Sequence, residues 1–263
     1  IYKVTISGTE FQQADSQGLE DIEVEDHAEM IGIARFTFGD SLSDWSQFAI
    51  GDDVEVELGG DSRLVFVGFI TGLRHAFQNG RSLLTVIAMD PLCKLAASRH
   101  TRIFEEVSDS DVVSSVLGDS GVDAGTVDST SGSALYILQR NESDFYFLKR
   151  LAARNGYLLM ANEGNVDFTK PQYSDPPVEI AKANLIALDY TFSNQNVPPS
   201  LTVLGWDYVA KEKVEGSAGS SEIDKIGSGT DVVSDTGAIW AADAYISDVL
   251  VNDQDGAKNY ATA

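Results

Sequence analysis

Leu64-Val65-Phe66-Val67-Gly68-Phe69-Ile70-Thr71-Gly72, then Asn79-Gly80, then Leu83-Leu84-Thr85-Val86-Ile87-Ala88-Met89-Asp90 decide the fold. Two apolar, β-branched runs around an Asn-Gly pair read as a β-hairpin. Branched and aromatic side chains pack well on a pleated surface. Asn-Gly tolerates the positive φ that a tight hairpin turn demands at both central positions. The same period-two alternation recurs upstream, at residues 2–6, 19–27, 33–39 and 54–58. Turn chemistry separates these runs: Ser7-Gly8-Thr9, Gly51-Asp52-Asp53 and Gly59-Gly60-Asp61. Six short strands at even spacing, with no long helix between them, predict an antiparallel barrel or sandwich over residues 1–90.

The pattern changes at Pro91. Residues 91–98 read as a short helical turn and 101–104 as a short strand. Ser108-Asp109-Ser110-Asp111 forms a capping box ahead of a helix with apolar positions Val112, Val113, Val116 and Leu117. Gly118 and Gly121 stop it. After a polar loop (128–133), residues 135–138 are strand-like. A second helix is expected from Asn141 or Ser143, with Asn141 as its cap and Asp144 favouring the positive helix start. Its inward face is Phe145, Leu148, Leu151 and Ala152, and Asn155-Gly156 ends it. Residues 157–161 and 166–169 then form a hairpin around Asn162-Glu163-Gly164-Asn165.

Strand signals resume at 186–194 and 201–210, followed by a loose Gly/Ser run at 216–221 and renewed apolar density at 238–251. Asp253-Gln254-Asp255-Gly256 reads as an acidic turn, and Ala261-Thr262-Ala263 as the opening turn of a helix that a longer protein would continue. The expected fold is mainly β (α+β overall). It comprises a first β domain at 1–90, an α+β insertion at 91–171, and a second β domain at 172–263 that leads into a connector.

Across 263 residues, Lys+Arg 18 against Asp+Glu 41 gives a formal charge of −23 and a pI near 4.2. Non-specific nucleic-acid affinity comes from cations neutralising phosphates, and membrane-surface attraction from polybasic patches, so this balance argues against both. From Glu215 onward only Lys225 and Lys258 are cationic, whereas 99–154 is comparatively rich in bases. Cys93 stands alone, which excludes an intrachain disulfide or a multi-thiolate metal site. No apolar run approaches the roughly 18 residues of a membrane span. The first residues alternate like a strand, so no export leader is expected.

Several motifs resemble catalytic signatures. Phe38-Gly39-Asp40-Ser41-Leu42 is similar to the nucleophile block of GDSL-type esterases, which makes Ser41 a candidate nucleophile. A serine hydroxyl needs a base, yet no Asp stands three residues before His27, His75 or His100. Gly118-Asp119-Ser120-Gly121 mimics a protease serine block without its histidine context. Asp253-Gln254-Asp255-Gly256 lacks carboxylates at the outer positions of a calcium loop. No dinucleotide or phosphate loop is present, and no cofactor is expected. A carbohydrate-binding β module remains an alternative, although Trp45, Trp206 and Trp240 are scattered.

Several segments, in order, carry a stronger resemblance. They are Phe48-Ala49-Ile50-Gly51-Asp52-Asp53-Val54, Val65-Phe66-Val67-Gly68-Phe69-Ile70, Ala88-Met89-Asp90-Pro91-Leu92, and Arg99-His100-Thr101-Arg102-Ile103-Phe104. The most specific is Gln139-Arg140-Asn141-Glu142-Ser143-Asp144-Phe145-Tyr146-Phe147-Leu148, and Val203-Leu204-Gly205-Trp206-Asp207 follows. Together they resemble the baseplate hub family of contractile injection systems: phage late-control D proteins and VgrG-like type VI spike proteins.

That resemblance implies two tandem barrel-like antiparallel β domains flanking the insertion. It also implies a non-enzymatic homotrimer that adapts a hexameric inner tube to a trimeric spike. Implied partners are the inner tube protein, the spike tip or C-terminal spike region, and baseplate components. Assembly would take place in the cytoplasm, into a virion or contractile particle. Gln139, Arg140, Asn141, Asp144, Phe145, Leu148, Gly205 and Trp206 are the motif residues. A chain of −23 must offset self-repulsion to assemble. Arg99, Arg102, Arg140, Arg150 and Arg154 are the candidate cations for intersubunit pairs.

Overall fold

The computed structural model describes residues 2–28, 30–42, 44–59, 63–130, 134–171, 189, 198–219, 243–247, 249, 251 and 253–262. The chain divides into two compact units. The first is Ile1–Ser129, Leu135–Ala152 and Leu158–Thr169; the second is Thr130–Ala134, Ala153–Tyr157 and Lys170–Ala263. The fold is mainly β, with curled antiparallel sheets and few helices.

Seven strands open the first unit: β1 (Tyr2–Ile6), β2 (Thr9–Gln12), β3 (Leu19–Glu25), β4 (Ile33–Phe38), β5 (Asp53–Leu58), β6 (Arg63–Gln78) and β7 (Arg81–Met89). They form one sheet in the order β2-β1-β5-β6-β7-β4-β3, antiparallel throughout. Alternation sends Val4, Ile6, Ala34, Phe36, Phe38, Val54, Val56, Leu84, Val86 and Ala88 into a single core. Phe11 of β2 and Phe38 of β4 sit near opposite ends of the strand order, yet their rings meet edge-on at 5.1 Å. The sheet therefore curls on itself into a barrel-like form.

The bend is built into β6. Its first half pairs with β5 and its second with β7, and the register breaks between Ile70 and Gly72. A Cβ at Gly68 would overlap the Met89 carbonyl oxygen, so only glycine lets β7 approach there. The Asn79-Gly80 turn forms as expected, with φ of 52° and 78°. β2 was not anticipated, because Phe11 is its only buried residue. β6 runs past the expected residue 72 because the Arg74–Gln78 stretch, with no buried side chain, still ladders onto β7.

The next elements are α1 (Leu92–Ala96), β8 (Arg99–Val107), α2 (Asp109–Asp119), β9 (Ala124–Val127), β10 (Ala134–Ser143), α3 (Asp144–Asn155), β11 (Leu158–Asn162) and β12 (Asn165–Thr169). The Ser108–Asp111 capping box is present in both directions. β10 pairs with β8, while β11, β12 and β9 make a separate sheet. Asn141 is not the cap of α3. It lies within β10 at φ 48°, and its backbone N–H donates to Thr101 Oγ1 at 3.2 Å. Ser143 caps instead, its Oγ accepting from Tyr146 N at 3.4 Å.

In the second unit, β13 (Ser200–Asp207), β14 (Glu212–Gly219) and β15 (Ala244–Ile246) form a sheet in the order β14-β13-β15. Residues 216–219, expected to be loose, are the end of a strand, because Gly216 and Ala218 face inward. The acidic turn is instead the start of α4 (Gln254–Thr262): Asp253 Oδ1 accepts from Gly256 N at 2.7 Å. A Cβ at Gly205 would overlap Val251, and one at Gly216 would overlap the α4 backbone at Ala257 and Lys258. Of the strand expected at 186–194 only Asp189 is described, outside any strand; its other residues and Trp240 lie outside the described residues.

Candidate functional site around Asp144

Asp144 begins α3 and is almost fully buried. Its Oδ1 accepts from Gln139 Nε2 at 2.7 Å and lies 3.1 Å from His100 Nδ1. Its Oδ2 accepts from Ser120 Oγ at 2.9 Å and from Arg102 Nη2 at 3.4 Å. Burial alone would push this carboxyl up. Hydrogen bonds from Gln139, His100 and Ser120, with the Arg102 charge, outweigh burial and hold it below the ordinary Asp value of 3.8. Arg102 Nη2 also lies 3.0 Å from His100 Nδ1. A guanidinium only donates, so Nδ1 either accepts from Arg102 or donates to Asp144.

The motif residues thus divide. Gln139 and Asp144 are the polar centre, and Phe145 and Leu148 are buried on the inward face of α3. Arg140 and Asn141 are exposed. Sequence reasoning missed the convergence of His100, Arg102 and Ser120 on one carboxylate. Their only signal was membership in motifs read separately, Arg99-His100-Thr101-Arg102 and Gly118-Asp119-Ser120-Gly121. Ser120, His100 and Asp144 do meet, but with Asp144 in the middle. A nucleophile needs its serine bonded to the imidazole, whereas Ser120 donates to the carboxylate. Ser41 has no histidine bonded to it, and His75 instead stacks on Trp45 at 5.4 Å.

Arg102 and Arg150 are ion-paired within their own chain, Arg102 with Asp144 and Arg150 with Glu142 Oε1 at 2.7 Å. Arg99 Nε donates to the Asn141 carbonyl at 2.9 Å, and Arg154 lies in the last turn of α3. A second buried carboxylate, Asp90, anchors the barrel to α1. Its Oδ2 accepts from Gly32 N at 2.6 Å and its Oδ1 from Leu92 N at 2.9 Å. Among the described residues, no group of three or more His, Cys, Asp or Glu is arranged to hold a metal ion. Nor is any described helix long and apolar enough to cross a membrane.

A family model for the Alg8 N-terminal domain matches residues 1–236. The chain belongs to the Alg8 N-terminal domain family. A search of curated proteins finds no match. Among solved structures, the chain is similar to the 43 kDa tail protein of prophage MuSo2 from Shewanella oneidensis. The two are 18% identical with a TM-score of 0.66, over 99% of this chain and 76% of that one. It is similar to the tail protein from Neisseria meningitidis MC58, at 16% identity and a TM-score of 0.64, over 99% and 74% of the two chains. It is also similar to prophage tail protein gp18 from Listeria monocytogenes EGD-e, at 13% identity and a TM-score of 0.54, over 96% and 74%. The chain therefore shares the fold of these phage tail proteins.

Proposed function

We propose that this chain is a non-enzymatic structural hub of a contractile injection particle. Three copies join a hexameric inner tube to a trimeric spike and contact the surrounding baseplate components. The observation that carries this reading is the tail-protein fold, matched over nearly the whole chain. The buried polar cluster around Asp144 ties strand residues to the start of a helix.

Two β modules at 1–90 and 172–263, separated by the insertion at 91–171, would give a trimer six similar footholds for the tube. Cations of the 99–154 stretch, Arg99 and Arg140 foremost, would offset repulsion between copies of charge −23. The particle would be assembled in the cytoplasm. Sedimentation equilibrium tests the reading: the account expects a mass three times the 28.3 kDa protomer, and a persistent monomer contradicts it.

A further inference from the structure

The first unit exposes two apolar features, one beside Arg99 and Arg140 with Glu105 further along the same face, the other beside Asp52 and Asp53. The first is the outer face of the β8–β10 ribbon. Along β10, Ile137 and Gln139 point inward, while Tyr136, Leu138 and Arg140 point outward. Along β8, Thr101, Ile103 and Glu105 face outward, while Phe104 stacks on Phe147 of α3 at 5.9 Å. Ile103, Tyr136 and Leu138 are 64%, 57% and 37% exposed. A two-stranded ribbon covered on one face leaves such side chains unpacked. Arg99 and Arg140 accompany them on the same strands, and neither guanidinium is paired with a carboxylate of the described residues.

The second feature is the loop at 50–53. Ile50 is 63% exposed at its tip. The loop is stiff. Asp52 Oδ2 accepts from Ala49 N at 2.8 Å, Gly51 N donates to Ile70 O at 2.8 Å, and Ile70 N donates to Asp52 O at 2.8 Å. Gly51 sits at φ +94° with open space around it, so the turn is held by backbone geometry and little of its ordering remains to be done on binding. Asp53 follows, exposed and with no cation paired to its carboxylate among the described residues.

We propose that residues 50–53 of one copy seat on the outer face of the β8–β10 ribbon of the next. Ile50 packs on Tyr136, Leu138 and Ile103, and Asp53 faces Arg140 and Arg99. The inference rests on the hub trimer proposed above and names its contact. Charge complementarity selects the occupant. In a chain of −23, arginines that meet no carboxylate among the described residues call for one, and this loop offers a carboxylate next to an exposed apolar side chain. Because the two surfaces differ, the contact is heterologous. It repeats head to tail and closes into a ring.

Sedimentation of Arg140→Glu, Asp53→Arg and the double variant tests this, with folding checked by thermal unfolding. Each single change should raise the dissociation constant of self-association roughly tenfold or more, because it juxtaposes like charges. The double variant should restore it, since the pair is re-formed with its signs exchanged. Ile50→Ser should weaken assembly with no change of charge, and Arg99→Glu replaces any single variant that fails to fold. A wild-type trimer indifferent to these changes, or a double variant no better than the singles, overturns this contact and leaves the hub reading standing. A monomeric wild-type chain overturns both.

Discussion

Asp90 and Asp144 are both buried carboxylates, and their surroundings push them in opposite directions. Burial raises Asp90 to about 6, two backbone N–H groups offset this only in part, and the Asp26 charge adds to the rise. A folded-state pKa above the unfolded 3.8 means the native protein binds more protons between those values. Stability from this group is therefore full below about pH 3.8 and falls as pH rises towards 6, by on the order of 3 kcal/mol. Urea unfolding of wild type and Asp90→Asn at pH 4.5, 5.5 and 6.5 checks this: the difference between the two should shrink or change sign as pH rises.

Asp144 has the opposite sign. Its lowered pKa contributes stability above the unfolded value, lost only as pH falls through the folded one. Asp144→Ala strands Arg102, whose Nη1 is already buried without a hydrogen-bond partner. It should cost about 3–5 kcal/mol at pH 7 in the same assay.

At the scale of elements, close approach decides more than hydrophobicity does. Gly216→Ala drives a methyl group into the α4 backbone. It should destabilise the second unit by about 1–3 kcal/mol and lower hydrogen-exchange protection in α4. Gly118→Ala, within α2 with nothing nearby, should instead stabilise by up to about 1 kcal/mol. The first sheet is legible because β1, β4, β5 and β7 alternate into one core, and because Asn79-Gly80 favours a tight turn. β14 was not, because its inward positions Gly216 and Ala218 are small, and small residues carry no hydrophobic period. The cap of α3 was misassigned between Asn141 and Ser143 because both types cap well. What separates them is the pairing of β10 with β8, a tertiary fact. The Asp144 cluster was hidden for the same reason: its members come from β8, the end of α2, β10 and α3.

For the molecule as a whole, charge and shape constrain each other. Copies bearing −23 repel unless they offer cations where they touch, and residues 99–154 are comparatively rich in bases. The proposed hub role rests on a tail-protein fold shared over nearly the whole chain. The most direct test is electron cryo-microscopy of the assembled particle, with symmetry resolved at the tube–spike junction. The account predicts three copies of this chain on the axis, threefold towards the spike and presenting six similar contacts to the tube. Six copies there, or a chain located away from the axis, would contradict it.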